Sequence, residues 1–350
     1  MNKAFLGQQA STVLSGKEFR LWRTAQTLLF IIGLTLVSLL FFKPQIGLTL
    51  FWDVLIPVAP ALFVFAAGIW RNICPLGTTS LLPLHFNFSK RKRLSLHQQG
   101  KLQLIGVILL FLLVPLRHLG LNLNGWLTGS FLVLTGLTAF IFGSIYEWKS
   151  SWCAGLCPVH PVEKFYGSNT VVTPKNAHCG TCKNCVLPCP DSNQQLGNEL
   201  NNRPLQRFAE RLLFGGFPGF IWAWFHVQDF HITALSLQEG LLAYFIPFAG
   251  MATSFLIFCL LLKYEILEEK TLIRIFGAAS ISAYYWYRIP ALLGFGLFPG
   301  DGELVDLSGI ILPQVMVALQ IFSLSFFIYW MIIRPANSKQ WMYRPPFKPN

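Results

Sequence analysis

Leu21-Trp22-Arg23-Thr24-Ala25-Gln26-Thr27-Leu28-Leu29-Phe30-Ile31-Ile32-Gly33-Leu34-Thr35-Leu36-Val37-Ser38-Leu39-Leu40-Phe41-Phe42 is the stretch that decides the class of fold. After Arg23 no charge appears until Lys43. A helix of that uncharged length is about 28 Å long, close to the roughly 30 Å of a bilayer's hydrocarbon. No A-x-A-type site follows the run, so it reads as an anchor and not as a cleaved signal peptide. Seven further runs of the same character follow: Ile46–Trp70, Leu102–Leu116, Trp126–Tyr146, Leu212–His226, Leu241–Leu262, Leu272–Phe298 and Ile310–Ile333. The run at Leu102–Leu116 is short, and so is the run at Leu212–His226. The latter contains Gly215-Gly216-Phe217-Pro218-Gly219, which predicts a kinked, broken or re-entrant segment. The expected fold is an all-α polytopic membrane protein with about eight transmembrane helices.

Composition supports this reading. Of the 350 residues, 53% are hydrophobic and 12% charged, where a soluble domain carries about 25% charge. So few charges cannot cover the surface of a soluble chain this long, and intrinsic disorder, collagen and a small disulfide scaffold are excluded as well. The net charge is +12. In a soluble chain that would suggest nucleic acid, but here its distribution points to membrane orientation. With the N-terminus inside, the inner segments hold 24 of the 27 basic residues and the outer loops hold only Lys43 and Arg117. That bias predicts an integral membrane protein with both termini cytoplasmic. The Lys90–Arg93 run is then a juxtamembrane cluster and no nucleic-acid partner is expected.

Three parts follow from the runs: an N-terminal membrane part over 1–146, a cytoplasmic loop over 147–211 and a C-terminal membrane part over 212–350. The loop, at about 65 residues, is too small for an apolar core of its own. Its cysteines are the obvious organisers. It reads His178-Cys179-Gly180-Thr181-Cys182-Lys183-Asn184-Cys185-Val186-Leu187-Pro188-Cys189-Pro190. This is the C-x2-C-x2-C-x3-C-P run of bacterial ferredoxins. Three thiolates at three-residue intervals wrap one corner of a [4Fe–4S] cube, and the Pro after the fourth turns that thiol away from the others. Zinc favours paired C-x2-C elements across a long spacer, and disulfides do not suit a reducing compartment.

Two further Cys-Pro elements sit where a span reaches the same face. One is Trp152-Cys153-Ala154-Gly155-Leu156-Cys157-Pro158, and the other is Trp70-Arg71-Asn72-Ile73-Cys74-Pro75. Aligned on Cys-Pro, Trp70 takes the place of Cys153, so the first half reads as a repeat of hairpin and Cys-Pro. Two clusters need eight ligands. Cys74, Cys153, Cys157, Cys179, Cys182, Cys185 and Cys189 supply seven. Cys259 reads as a buried apolar residue within a span. An eighth ligand would come from Cys259, His160 or His178, or one cluster would lack an iron. One [4Fe–4S] cluster is expected, and the count leaves a second open. In the two-cluster case Cys157 is expected to join Cys179, Cys182 and Cys185, with Cys189 joining Cys153 and Cys74.

Over roughly Leu21–Asp191 these features resemble the polytopic membrane ferredoxins. That group includes the quinol-linked membrane ferredoxin of periplasmic nitrate reduction, the nitrous-oxide reductase regulator family and the ferredoxin-type membrane protein of cyanobacterial cyclic electron flow. The resemblance implies electron transfer between membrane quinone and a soluble ferredoxin-like carrier or subunits of a membrane redox complex. Lys149, Lys164, Lys175 and Lys183 would dock an acidic carrier. The competing reading is an assembly or regulatory protein whose cluster is structural or senses redox state.

Outside the cysteines, Arg288 stands alone within a span, and Asp53 is the acid at matching depth. Charge at that depth is costly unless paired, so an Asp53–Arg288 pair is expected. With Tyr284–Tyr287 and Pro290 beside it, it marks a candidate quinone or proton site. His226 and His231, five apart, do not share one helical face. No Gly-x-Gly-x-x-Gly, metalloprotease or Ser/His/Asp arrangement is present.

Overall fold

A computed structural model describes residues 14–147, 149–182, 192, 203–230, 237–335 and 341–343. In chain order its helices are α1 (Gly16–Phe42), α2 (Pro44–Leu48), α3 (Ile56–Ile73), α4 (Pro75–His85), α5 (Leu96–Leu113), α6 (Gly125–Ile145), α7 (Val159–Tyr166), α8 (Cys179–Cys182), α9 (Pro204–Trp224), α10 (Leu237–Lys263), α11 (Glu269–Leu292) and α12 (Pro313–Ile328). Wide π-type turns fill Thr49–Leu55, Lys149–Leu156 and Tyr329–Ile333. Among the described residues the only β pairing is two isolated bridges, Lys92 with Tyr146 and Lys175 with Tyr343.

Among the described residues, six stretches are long and apolar enough to cross a membrane: Gly16–Phe42, Pro44–His85, Leu96–Arg117, Gly125–Ile145, Leu237–Lys263 and Pro313–Ile333. The protein is an all-α membrane protein. The runs expected at Leu212–His226 and Leu272–Phe298 do fold as helices, α9 and α11, but lack that apolar length. Both lie inside the bundle, where neighbouring helices and not lipid satisfy their side chains. α9 buries Gln206 and Glu210, and α11 buries Ser280, Ser282, Tyr284, Tyr285 and Arg288. α11 also stops at Leu292, two residues past Pro290, instead of reaching Phe298.

The two helices nevertheless run the length of the bundle. At one end Arg207 and Arg211 of α9 pair with Glu269 of α11 at 3.2 and 2.7 Å. At the other end Trp224 of α9 packs on His118, while Arg288 of α11 meets Asp53. α9 is unbroken through Gly215–Gly219, contrary to the broken or re-entrant segment expected there. Its glycines serve close packing instead. A Cβ on Gly219 would run into the Gly250 carbonyl of α10, and a Cβ on Gly250 would run into the Gly219 carbonyl. The two backbones touch, as small residues allow in membrane bundles.

Between Thr49 and Ala66 the second span is irregular, and a membrane gives freed backbone groups no water. α11 supplies the missing partners. Pro57 has no N–H, so the Trp52 carbonyl five residues earlier loses its π-type donor. Arg288 Nη2 donates to that carbonyl at 2.7 Å. The Tyr285 hydroxyl enters the next turn, donating to the Pro57 carbonyl at 2.7 Å and accepting from the Ala61 N–H at 2.9 Å. At Ala66 the backbone leaves the helical region (φ −148°, ψ 43°), and the Val171 N–H donates to the Phe65 carbonyl at 2.8 Å.

Gly219→Val should therefore destabilise the α9–α10 contact by about 1–3 kcal/mol, the cost of overpacking a filled site. Gly136→Ala, where a Cβ meets nothing within 4 Å, should leave stability unchanged. Thermal unfolding of the two variants in detergent checks the difference.

Candidate functional site

Each Cys-Pro element ends one helix and starts the next. Cys74 closes α3 and caps α4, whose first residue is Pro75. Cys157-Pro158 leads directly into α7. Proline suits a first helical position because the N–H it lacks would have had no partner there. The next two N–H groups then point back at the sulfur. Leu76 and Gly77 donate to Cys74, and Val159 and His160 donate to Cys157. In both turns the second and third residues after the cysteine turn their N–H groups to its sulfur, which gives the sequence repeat a physical meaning: each thiol sits at the positive end of a helix.

The structure brings the two turns together. Cys153, Cys157 and Cys182 pack in one buried cluster with Leu81, Leu84, Ala139 and Trp152. Cys74 lies close enough to Cys157 to act on its charge. Cys182 also contacts Glu147 at 3.7 Å, and Cys179 opens α8, half-buried. Cys259 lies on α10, outside the cluster. Cys185 and Cys189 lie outside the described residues, as do His231 and Lys183. Cys153 and Cys157 are not segregated into separate pockets; both pack with Cys182.

Burial pushes the Cys157 thiol up to about 12, with Glu163 and Cys74 adding to the rise and the two N–H groups opposing it. Such a thiol ionises only if cationic charge arrives with it. The donor set therefore fits a group rich in positive metal. Among the described residues no three His, Cys, Asp or Glu side chains stand close enough to hold a single ion. A cubane is held by thiolates that stand further apart than the ligands of one ion.

A buried polar network fastens this region together. Glu163 of α7 accepts from Trp70 Nε1 at 2.8 Å and from His160 Nδ1 at 3.1 Å, and pairs with Arg71 at 3.4 Å. Burial works against the carboxylate, yet Arg71, His160 and Trp70 hold it below the usual range. Burial and the Arg71 charge press His160 down to about 4 against the pull of Glu163, so it is neutral at pH 7. The Arg71 carbonyl receives His178 Nε2 at 2.9 Å. Asn72 accepts from the Ala177 N–H and donates to the Lys175 carbonyl, both at 2.9 Å. The segment that delivers Cys179 and Cys182 is thus tied to the turn that carries Cys74.

Two side chains expected to dock a carrier are otherwise engaged. Lys164 is buried against Glu210 at 2.9 Å, and Lys175 pairs with Glu18 at 2.9 Å. Lys164 sits on the face of α7 that packs into the core, which the loop's basic composition did not reveal. Sequence reasoning also missed the tail Trp341–Tyr343. The Trp341 N–H donates to the Ser192 carbonyl at 2.9 Å and its ring is buried. Tyr343 exchanges backbone bonds with Pro174 and Asn176 at 2.9 and 2.7 Å. An apolar Trp-Met pair inside a polar, Pro-rich tail was the available signal.

Arg288 and Asp53 meet at 2.8 Å with Arg288 buried. Tyr284 and Tyr285 pack at the core, with their hydroxyls turned to α3 carbonyls. A small cleft beside Arg288 is lined by Arg117, Trp224, Phe225, Tyr287 and Asp301. At 1.5 Å per helical residue, Asp53 lies roughly 30 Å from Cys74. The pair and the cysteines occupy opposite ends of the bundle. His226 bonds the Trp222 carbonyl at 2.7 Å and packs on Tyr287.

Comparison with protein-family models, curated proteins and solved structures finds no match to this chain. The site is read from its own geometry.

Arg288→Leu should cost about 1–3 kcal/mol, because it leaves the half-buried Asp53 carboxylate and the Trp52 carbonyl without their donor. Asp53→Leu combined with Arg288→Leu should recover part of that loss. Thermal unfolding of the two single variants and the double variant measures the coupling.

Proposed function

We propose that the protein is a membrane-bound iron–sulfur electron carrier. It passes electrons between a soluble ferredoxin-like carrier or partner subunit at the cysteine end and the membrane quinone pool or a membrane complex. The observation that carries this reading is the pair of matched Cys-Pro helix starts, each aiming two N–H groups at its thiol, with Cys157 buried beside Cys182 and Cys74 close to Cys157. Such N–H groups stabilise thiolate charge, set redox potential and orient the ligands. Cys179, Cys182 and Cys185 of the ferredoxin run would hold a [4Fe–4S] cluster together with Cys157, and Cys74, Cys153 and Cys189 would contribute to a second, since the Pro after Cys157 and after Cys189 turns each thiol away from its own run. The bound group supplies one-electron chemistry. The chain supplies the dry apolar shell of Leu81, Leu84 and Ala139 and the fixed charges of Arg71 and Glu163.

Eight crossings belong to this reading, with α9 and α11 as the two central ones. What supports them is that each links the Glu269 end of the bundle to the Asp53 end. The pairing of Glu18 with Lys175 and of Tyr343 with Pro174 sets residues near both ends of the chain beside the cysteine loop. An even number of crossings fits that arrangement, and the excess of Lys and Arg on this side suits the cytoplasm. Electron transfer weakens steeply with distance, so exchange with quinone belongs near the cysteines. The Asp53–Arg288 pair then acts as a structural seam.

Protein purified without oxygen should contain iron and sulfide in equal amounts and give a [4Fe–4S] EPR signal on reduction, with reoxidation by added quinone. Cys182→Ala should lose the signal and open Glu147–Arg211 to protease. Wild-type protein free of iron refutes the proposal. A cluster that no carrier or quinone reduces or oxidises transfers the reading to a structural or sensing role.

A further inference from the structure

The polar network beside the cysteines leaves one nitrogen of the His160 ring unused. His160 is 1% exposed, and its Nε2 has no hydrogen-bond partner. Its other ring nitrogen, Nδ1, faces Glu163 at 3.1 Å. Glu163 is an ionised acceptor, so Nδ1 carries the proton and Nε2 presents a bare lone pair. The neighbouring indole of Trp341 offers no donor to it, because its N–H is given to the Gly167 carbonyl at 3.0 Å. A carboxylate that fixes the tautomer of a buried imidazole and leaves the far nitrogen free is the arrangement that surrounds metal-bound histidines.

The place of this histidine matters. His160 is three residues after Cys157, and its backbone N–H is already directed at the Cys157 sulfur. The carboxylate that orients it lies near both Cys74 and Cys157. The same carboxylate is held by Trp70, the residue that stands where the repeat would place a cysteine. Seven cysteines are available to two clusters that need eight ligands. The first Cys-Pro element lacks one thiol, and the second carries a free imidazole lone pair.

We propose that His160 Nε2 is the eighth ligand and binds iron of the cluster that takes Cys74. The proposal rests on the cluster-bearing reading above. The bond forms from the neutral Nε2 lone pair to iron and releases no proton, because the Nδ1 proton stays on the ring, hydrogen-bonded to the Glu163 carboxylate. An imidazole in place of a thiolate removes one negative charge from the cluster's ligands, which raises its potential.

The test is pulsed EPR of the reduced full-length protein, labelled with 15N-histidine and purified without oxygen. The wild type should show nitrogen coupled as strongly as a directly bound ligand. His160→Cys should lose that coupling, keep its iron and shift its midpoint potential downward. His160→Ala should lose about half the iron. Clusters without bound-nitrogen coupling, or coupling that survives in His160→Cys, overturn this ligand while leaving the electron-carrier reading intact. Wild-type protein without iron removes the underlying reading instead. A purely structural histidine, or one whose Nε2 meets only water, would leave no bound-nitrogen signal in any variant.

Discussion

Glu163 holds a charge where almost no water reaches, and the cysteine end of the bundle depends on how that charge is satisfied. Three groups converge on it: the Trp70 indole and the Arg71 guanidinium from the end of α3, and His160 from its own helix. An isolated carboxylate buried this deeply would cost several kcal/mol, so its partners cannot drift apart without penalty. Holding Glu163 therefore locks α7 to the end of α3, and with it the turn of Cys157 to the turn of Cys74. The same stretch of α3 then fastens the loop, through the Arg71 carbonyl to His178 and through Asn72 to Lys175 and Ala177. One electrostatic demand thus positions three segments that carry thiols.

A second demand governs the other half of the molecule. The membrane span Pro44–His85 is interrupted by a π-type turn, two early prolines and the break at Ala66. Each interruption frees a backbone group that lipid cannot bond. α11 meets this need with Tyr285 and Arg288, and the segment after α7 meets it with Val171. This explains why α11 is too polar to resemble a lipid-facing span. Its tyrosines and arginine repair another helix, so it must lie inside. α9 is interior for a different reason: its glycines admit the backbone of α10 into contact.

The tail Trp341–Tyr343 joins these two systems at the cysteine end. It reaches Ser192 beyond the ferredoxin run and Pro174 and Asn176 before it. The Trp341 carbonyl closes against Gly68 of α3, where a Cβ would collide with it. Residues on both sides of the cysteine run are thus held by a segment some 150 positions away in sequence, in place of the apolar core that so short a loop cannot build.

The sequence by itself determined the membrane class, six of its eight expected spans, the cysteine pattern and the two Cys-Pro repeats. These are local properties: hydropathy over one helix length, thiol spacing and a proline after a cysteine carry their meaning without knowledge of neighbours. It also supplied Asp53 and Arg288 as partners, because a charge within a span has few places to find its opposite. Tertiary structure decided the rest. The burial of Lys164 depends on which face of α7 meets Glu210, and an eight-residue helix next to a basic loop does not declare that face. The continuity of α9 through Gly215–Gly219 depends on α10 pressing against it, since the same glycines in isolation read as a break. The lone pair of His160 became visible only when the ring was seen to spend its proton on Glu163. A histidine's free nitrogen is fixed by what the other nitrogen bonds, and that partner came from the packing of α7 against α3.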